Sequence, residues 1–210
     1  MTPISMTAPH GEGTRPRVEG DREQEIFDAT LHVLEEVGYD RLTMDAVAAA
    51  ARASKATLYR RWNGKVALVI DALLSQKTPH EAPDTGTLRG DLIATFCGAG
   101  GLTDHSAVAT FASVLTAISR DAEFAEAFRQ RVIGPKAAMG RLIFERAQER
   151  GELREGVDID LLAPALAGIT LHRLFLMGLP PDQDVIARVV DQIILPAALP
   201  FESLQTLQEN

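Results

Sequence analysis

The segment Ser54-Lys-Ala-Thr-Leu-Tyr-Arg-Arg-Trp62 concentrates side chains suited to a phosphate-lined duplex. Lys55, Arg60 and Arg61 bring positive charge, Thr57 and Tyr59 bring hydroxyls, and Ala56 is small enough to let a surface come close. Read as a helix at about 100° per residue, the segment puts Leu58 and Trp62 on one face, which must be the inner one. Ala56, Thr57 and Arg60 then point outward, with Tyr59 and Arg61 on the flanks and Lys55 at the tip. From there Thr57 and Arg60 can address base edges, and Tyr59 can give its hydroxyl to a phosphate. The chain of 210 residues carries a formal net charge of −8, yet residues 41 to 65 hold six basic residues against Asp45 alone. Residues 78 to 210 hold 11 basic and 18 acidic residues. Evenly spread, the negative charge would argue against nucleic acid; here it is polarised along the chain. A local basic excess is by itself an ordinary solvated helix face, so the surrounding elements must decide its meaning.

Those elements read as a small helical domain over residues 21 to 77, preceded by an arm, residues 1 to 20, rich in Pro, Gly and Thr and expected to be flexible. A first helix is expected from Asp21, capped with Gln24 in capping-box fashion, to Gly38, with Ile26, Phe27, Thr30, Leu31, Val33, Leu34 and Val37 on its inner face. Thr43 caps a second helix, with Leu42 and Val47 placed as a hydrophobic staple and Asp45 suited to the helix dipole. After a break at Arg52 and Ala53, Ser54 caps the basic helix, which Asn63 and Gly64 end. A fourth helix starts at Lys65 and runs toward a Pro-containing linker near residues 78 to 83. Thr43, Ser54 and Lys65 all stand at helix N-termini, where backbone amides already favour phosphate. Two short helices joined by a tight break, the second basic and capped, meet the requirement of a helix-turn-helix.

Thr43-Met-Asp-Ala-Val-Ala48, Ser54 to Trp62 and Gly64-Lys65 together resemble the DNA-binding domain of the TetR (TetR/AcrR) family of transcriptional regulators, over roughly residues 24 to 73. The resemblance implies that Thr43, Ser54, Tyr59 and Lys65 hold phosphates while Lys55, Ala56, Thr57 and Arg60 face the groove. The family's turn often carries glycine where this chain has Arg52. A left-handed backbone there would cost a non-glycine residue on the order of 1 kcal/mol, offset if Arg52 adds a phosphate contact. Arg15 and Arg17 in the arm could enter a minor groove, although such a tail is ordinarily solvated.

From residue 84 to 200 every long segment again reads as helix, about 86 to 98, 104 to 119, 122 to 150, 158 to 178 and 183 to 198, with residues 201 to 210 a C-terminal tail. Period-two alternation is absent, so the fold class is all-α, a helix-turn-helix domain of three or four helices followed by a larger helical bundle. Pro135 should kink its segment and free the carbonyl of Arg131. Val185, Ile186, Val189, Val190, Ile193 and Ile194 form a stripe that looks too wide for one intramolecular face, and Ala165, Ala167 and Gly168 would allow close helix approach. A single helix-turn-helix reads few base pairs, and two half-sites about 34 Å apart call for a homodimer. The expected interface includes Leu162, Ala165, Ile169, Ile186, Val189, Val190 and Ile193, in keeping with the four-helix interface that the family resemblance implies. The resemblance also implies a small-molecule effector in the C-terminal domain. Phe96, Phe111, Leu115, Phe128, Met139, Phe144, Leu174 and Phe175 could supply an apolar lining, with Thr116, His105 and His172 as polar anchors, although each is ordinary core by composition. Arg150-Gly-Glu-Leu-Arg154, Leu166-Ala-Gly-Ile169 and His172-Arg173 resemble, more loosely, a C-terminal domain of actinobacterial-type members. The expected function is that of a sequence-specific regulator, a repressor released by a small, largely apolar ligand.

An enzyme reading starts at Ile93-Ala-Thr-Phe-Cys-Gly-Ala-Gly-Gly101, a Gly-rich stretch with Asp121 some twenty residues on. It lacks the third glycine and any βαβ alternation, so it makes a poor dinucleotide site. The five histidines are scattered without metal-ligand spacing and no nucleophile-elbow pattern occurs, so neither cofactor nor metal is expected. An architectural DNA binder without ligand control is the remaining alternative. The apolar share of 46% and charged share of 24% suit a folded globular chain. One cysteine, Cys97, excludes an internal disulfide. No signal peptide or membrane span is read from the sequence, and a cytoplasmic location is the expectation.

Overall fold

A computed structural model describes residues 19–76, 81–98, 105–180 and 182–200, and no strand occurs among them. The helices in chain order are α1 (Glu19–Arg41), α2 (Met44–Ala50), α3 (Lys55–Arg61), α4 (Lys65–Ser75), α5 (Leu88–Gly98) and α6 (His105–Arg120). There follow α7 (Ala122–Phe128), a π-turn (Arg129–Ile133), α8 (Gly134–Glu149), α9 (Ile159–Leu162), α10 (Ala165–Met177), α11 (Gln183–Val189), a second π-turn (Val190–Ile194) and α12 (Leu195–Ala198). The arm through residue 18, with Arg15 and Arg17, lies outside the described residues, as do the tail 201–210, glycines 100 and 101, and the side chains of Cys97 and His105.

The start of α1 departs from expectation. The helix begins at Glu19, so Asp21 and Gln24 lie within it, and Gln24 donates to Asp28 one turn on at 2.8 Å instead of closing a capping box. Gly38 does break the helix, at φ 73° and ψ 167°, leaving Tyr39 to Arg41 as a separate last turn. Thr43 caps α2 by accepting from the Ala46 amide, and Ser54 caps α3 by accepting from Thr57. Leu42 and Val47 are both buried in one core, as the staple requires.

Packing divides the chain into two cores. The first joins α1 to α4 with Val114, Ala117, Phe124, Phe128 and Val132, so α6 and α7 pack with the N-terminal helices. The second collects Leu88, Ile143, Phe144, Leu166 and residues of α11 and α12. The backbone from Ala122 to Glu149 stays helical throughout and links the two. Pro135 produces a π-turn where a kink was expected: the Gly134 amide donates to the Arg129 carbonyl five residues back. Proline has no amide to offer and its ring crowds the carbonyl four residues before it, so a locally widened helix removes both problems. The same device recurs before Pro196, where the Leu195 amide reaches the Val190 carbonyl. The expected helix 158 to 178 is interrupted at Ala163 and Pro164.

By length and composition, residues Ile159–Met177 are apolar enough to cross a membrane, with mean hydropathy 1.4, which the reading of the sequence had not found. Within that stretch α10 has 13 residues, about 20 Å of helix against a hydrocarbon core of about 30 Å. Leu166, Thr170 and Leu174 are its buried face, and Gly168, His172 and Leu176 stand exposed.

The segment leading into α5 is held by charge. Asp91 is fully buried and accepts from the Thr85 amide, the Thr85 hydroxyl and Arg150. Arg146 donates to the carbonyls of Ala82 and Pro83. At the other end of the chain's long helix, Asp121 caps α7 through the Phe124 amide at 3.0 Å and accepts from the Tyr39 hydroxyl at 2.8 Å. These two bonds, the amide first, hold its carboxyl below the usual carboxylate range. Burial and the same carboxylate push the Tyr39 phenol up.

Because the folded-state pKa of Asp121 lies below its unfolded value, its contribution to stability is complete above the ordinary carboxylate pKa of about 4 and is lost as pH falls through the folded value. Asp121→Asn should therefore lower stability by about 1 kcal/mol near pH 7. Urea denaturation should show the gap from the natural chain closing below about pH 4; a gap independent of pH would contradict the assignment.

Candidate nucleic-acid interface

The surface presented by α3 is set by two inward residues. Leu58 is 0% exposed and Trp62 2%, and Trp62 packs edge-on against Phe27 of α1 with ring centroids 5.7 Å apart. The indole N–H, which could not be buried without a partner, donates to Asp71 of α4 at 2.8 Å. This fixes the rotation of α3 and leaves Lys55, Ala56, Tyr59, Arg60 and Arg61 exposed, Tyr59 at 57%. Thr57 departs from the expected outward position. It is half-buried, and its hydroxyl lies 2.8 Å from that of Ser54.

The cations differ in what already holds them. Lys55 pairs with Asp45 of α2 at 2.5 Å and Arg61 with Glu23 of α1 at 2.6 Å, both at the surface where such pairs exchange readily for a phosphate. Arg60 has no carboxylate partner among the described residues, and with Arg22, Glu23, Thr57 and Trp62 it borders a groove of about 300 Å³ between α1 and α3. Lys65 is half-buried; its ammonium lies 4.1 Å from the centroid of the Tyr39 ring and donates to the Tyr39 carbonyl at 3.1 Å. Thr43 is exposed at the start of α2.

Arg52 has φ +50°, the left-handed conformation anticipated at this position and the only positive φ among the described non-glycine residues. The turn is braced from outside: Arg22 donates to the Arg52 carbonyl at 2.8 Å while pairing with Glu25. The Ala53 amide closes the turn on the Ala48 carbonyl at 2.8 Å. The Arg52 side chain itself is exposed. Sequence reasoning missed the brace because Arg22 and Arg52 are thirty residues apart.

The residues expected around an effector are not gathered in one place. Phe111 and Phe175 stack at 4.7 Å, joining α6 to α10. Phe96 and Met139 are half-buried, Leu115, Thr116 and His172 are exposed, and Leu174 is buried. Phe128 belongs to the first core, against Phe124, and Phe144 to the second. An open cleft of about 450 Å³ lies between the end of α1 and α6, and of the expected set it is bordered by Thr116 alone, together with Gly38, Arg41 and Ser113. The apolar stripe of α11 is corrected as well. Val185, Ile186, Val189, Val190 and Ile194 are buried within one subunit because α11 and its π-turn pack on α5 and α10. Ile193 is 48% exposed, and Leu162, Ala165 and Ile169 are half-buried. The widened turn redistributes the stripe, so more of it faces inward than regular α spacing allows. Among the described residues no three His, Cys, Asp or Glu side chains gather as a metal site.

Comparison with known proteins agrees with this geometry. A family model for bacterial regulatory proteins of the tetR family matches residues 26–72, and one for the tetracyclin repressor-like C-terminal domain matches residues 82–193. The chain is 37% identical over 188 residues to an HTH-type transcriptional regulator of Mycobacterium tuberculosis, covering 88% of this chain and 91% of that protein. It is 36% identical over 180 residues to the DNA-binding transcriptional repressor TetR of Mycobacteroides abscessus, covering 83% and 92%. A TetR family transcription regulator of known crystal structure superposes with a TM-score of 0.63 at 29% identity, over 86% of this chain and 100% of the other. SmeT, solved as a complex with triclosan, shares the fold with a TM-score of 0.64 at 20% identity, over 86% and 93%. With matches to both halves and relatives this similar over nearly their whole length, the chain belongs to the TetR family of helix-turn-helix transcriptional regulators.

Proposed function

We propose that two copies of this chain form a dimer whose α3 helices enter successive major-groove half-sites, and that the dimer is a repressor released when a small, largely apolar molecule binds the C-terminal domain. The observation that carries the reading is the rotation of α3, with Leu58 and Trp62 buried while Lys55, Ala56, Tyr59 and Arg60 stand clear. Arg60 addresses base edges, with Lys55 and Ala56 facing the groove and Thr57 joining them once its hydroxyl leaves that of Ser54; Thr43, Arg52, Ser54, Tyr59, Arg61 and Lys65 hold phosphates. For Lys65 this requires its ammonium to leave the Tyr39 carbonyl, an exchange of one oxygen acceptor for a charged one.

The dimer uses the open side of α10, where Gly168, His172 and Leu176 are exposed, with Leu161 of α9 at 69% and Ile193 at 48%. An apolar face of this kind is costly to leave in water, and a C2 pairing covers it with its own copy. Release by ligand follows as a population shift: a ligand preferring dimers of altered head spacing weakens operator binding tenfold for about 1.4 kcal/mol of coupling. The complex of the similar SmeT with triclosan supports small-molecule occupancy, and the Phe111–Phe175 stack is the aromatic element such a site would use. The chain acts by binding and not as an enzyme, in the cytoplasm, where its DNA is.

Selection of bound genome fragments by the full-length protein should yield a preferred duplex, favoured about 10³-fold or more over random sequence at physiological salt. Against that duplex, Arg60→Ala should reduce the preference by about 1–3 kcal/mol, whereas Tyr59→Phe should weaken both duplexes alike. Equal losses for Arg60→Ala on selected and random DNA would remove it from base reading. For the dimer, Leu176→Glu combined with Ile193→Glu should give a monomer by sedimentation with helical content retained. An unchanged dimer would place the interface on another face.

A further inference from the structure

Between Val132, the last contributor to the first core, and Ile143 of the second, the long helix has no buried residue, and Ile133 to Ala138 are all exposed. Within the π-turn that begins this bridge, Arg131 reaches back to α4. Its Nη2 donates to Oδ1 of Asp71 at 2.6 Å, while Oδ2 of the same carboxylate accepts the Trp62 indole N–H at 2.8 Å. Trp62 is the C-cap of α3, its amide donating to the Leu58 carbonyl. One carboxylate therefore joins the linking helix of the C-terminal domain to the end of the DNA-reading helix.

The pair itself adds little to stability. The Arg131 side chain is 47% exposed and that of Asp71 30%, and ion pairs this open to water contribute little. Orientation is another matter. A carboxylate bonded on both oxygens to donors from different elements has its plane set by both. Moving Arg131 turns the acceptor that Trp62 depends on, and Trp62 fixes the rotation of α3. We propose that Arg131 is a positioning residue for the reading helix, acting through Asp71 on Trp62, and that displacement of the bridge by events in the C-terminal domain reaches α3 by this route. The physical basis is a chain of contacts that is made or broken at one point, the bond of Arg131 to Asp71.

Trp62 is the only tryptophan in the chain, so its fluorescence reads the route in the full-length protein without any ligand or DNA. Arg131→Ala should leave the thermal midpoint where it is, shift Trp62 emission, and weaken binding to the selected duplex about tenfold with binding to random duplex unchanged. Arg131→Lys, which restores the charge but not the planar guanidinium, should recover part of both effects. Adding Asp71→Asn to Arg131→Ala should cost no more than Asp71→Asn alone, since both act through one carboxylate. Unchanged emission and unchanged preference in Arg131→Ala would overturn the proposal, and so would a fall in thermal midpoint that accounts for the whole loss of binding. The proposal rests on α3 being the DNA reader. An emission shift in a protein whose natural form shows no duplex preference would uphold the route and count against that reader alone.

Discussion

Burying an indole imposes two conditions at once: the ring must leave water, and its N–H must still find an acceptor. In this chain Phe27 and the first core meet the former and Asp71 meets the latter. With both satisfied, a helix of seven residues, too short to be stable in isolation, acquires one orientation. Leu58 follows inward because it lies one turn before Trp62, and every outward residue of α3 is then determined. The reading surface is thus a by-product of how one aromatic side chain is housed.

Charge is arranged around the same helix with equal economy. An acidic chain can approach a polyanion only through a confined basic face, and two cations of that face are paired with local acids, Lys55 with Asp45 and Arg61 with Glu23. Such pairs hold the side chains in place in the free protein and give way to phosphate without a large loss, since exposed pairs are weak. Arg60, exposed on the same helix, lacks such a counter-ion among the described residues.

Local chemistry made much of this readable in advance. The caps Thr43 and Ser54, the Leu42–Val47 staple, the break at Gly38 and the inward pair Leu58 and Trp62 all follow from residue type and spacing over one or two helical turns. The left-handed Arg52 was legible only against the family pattern, and its brace from Arg22 not at all. Errors arose where the outcome depended on distant packing. The stripe Ile186, Val189 and Val190 looked like a partner surface because regular α spacing was assumed, whereas a π-turn and contact with α5 turn it inward. Phe128 and Phe144 looked like neighbours in one lining, yet they belong to different cores, since the residues between them form an exposed bridge. Aromatic residues carry no sequence label for which core they enter.

Both π-turns stand two residues before a proline, and each stores one residue more than a regular helix of that length needs. Removing a residue from Arg129–Ile133 would let the backbone relax to ordinary spacing, and because five residues of a π-turn advance about as far round the axis as four of an α-helix, all that follows would keep close to its present phase. Phe144 and Ile143 would still face the second core while Phe124 and Phe128 kept their places in the first, and the cost would fall on Pro135, whose ring would again crowd the carbonyl four residues before it. The same deletion in the regular helix on either side would turn one half of the rod by about 100° against the other, so a change of length is tolerable at the widened turn and nowhere beside it.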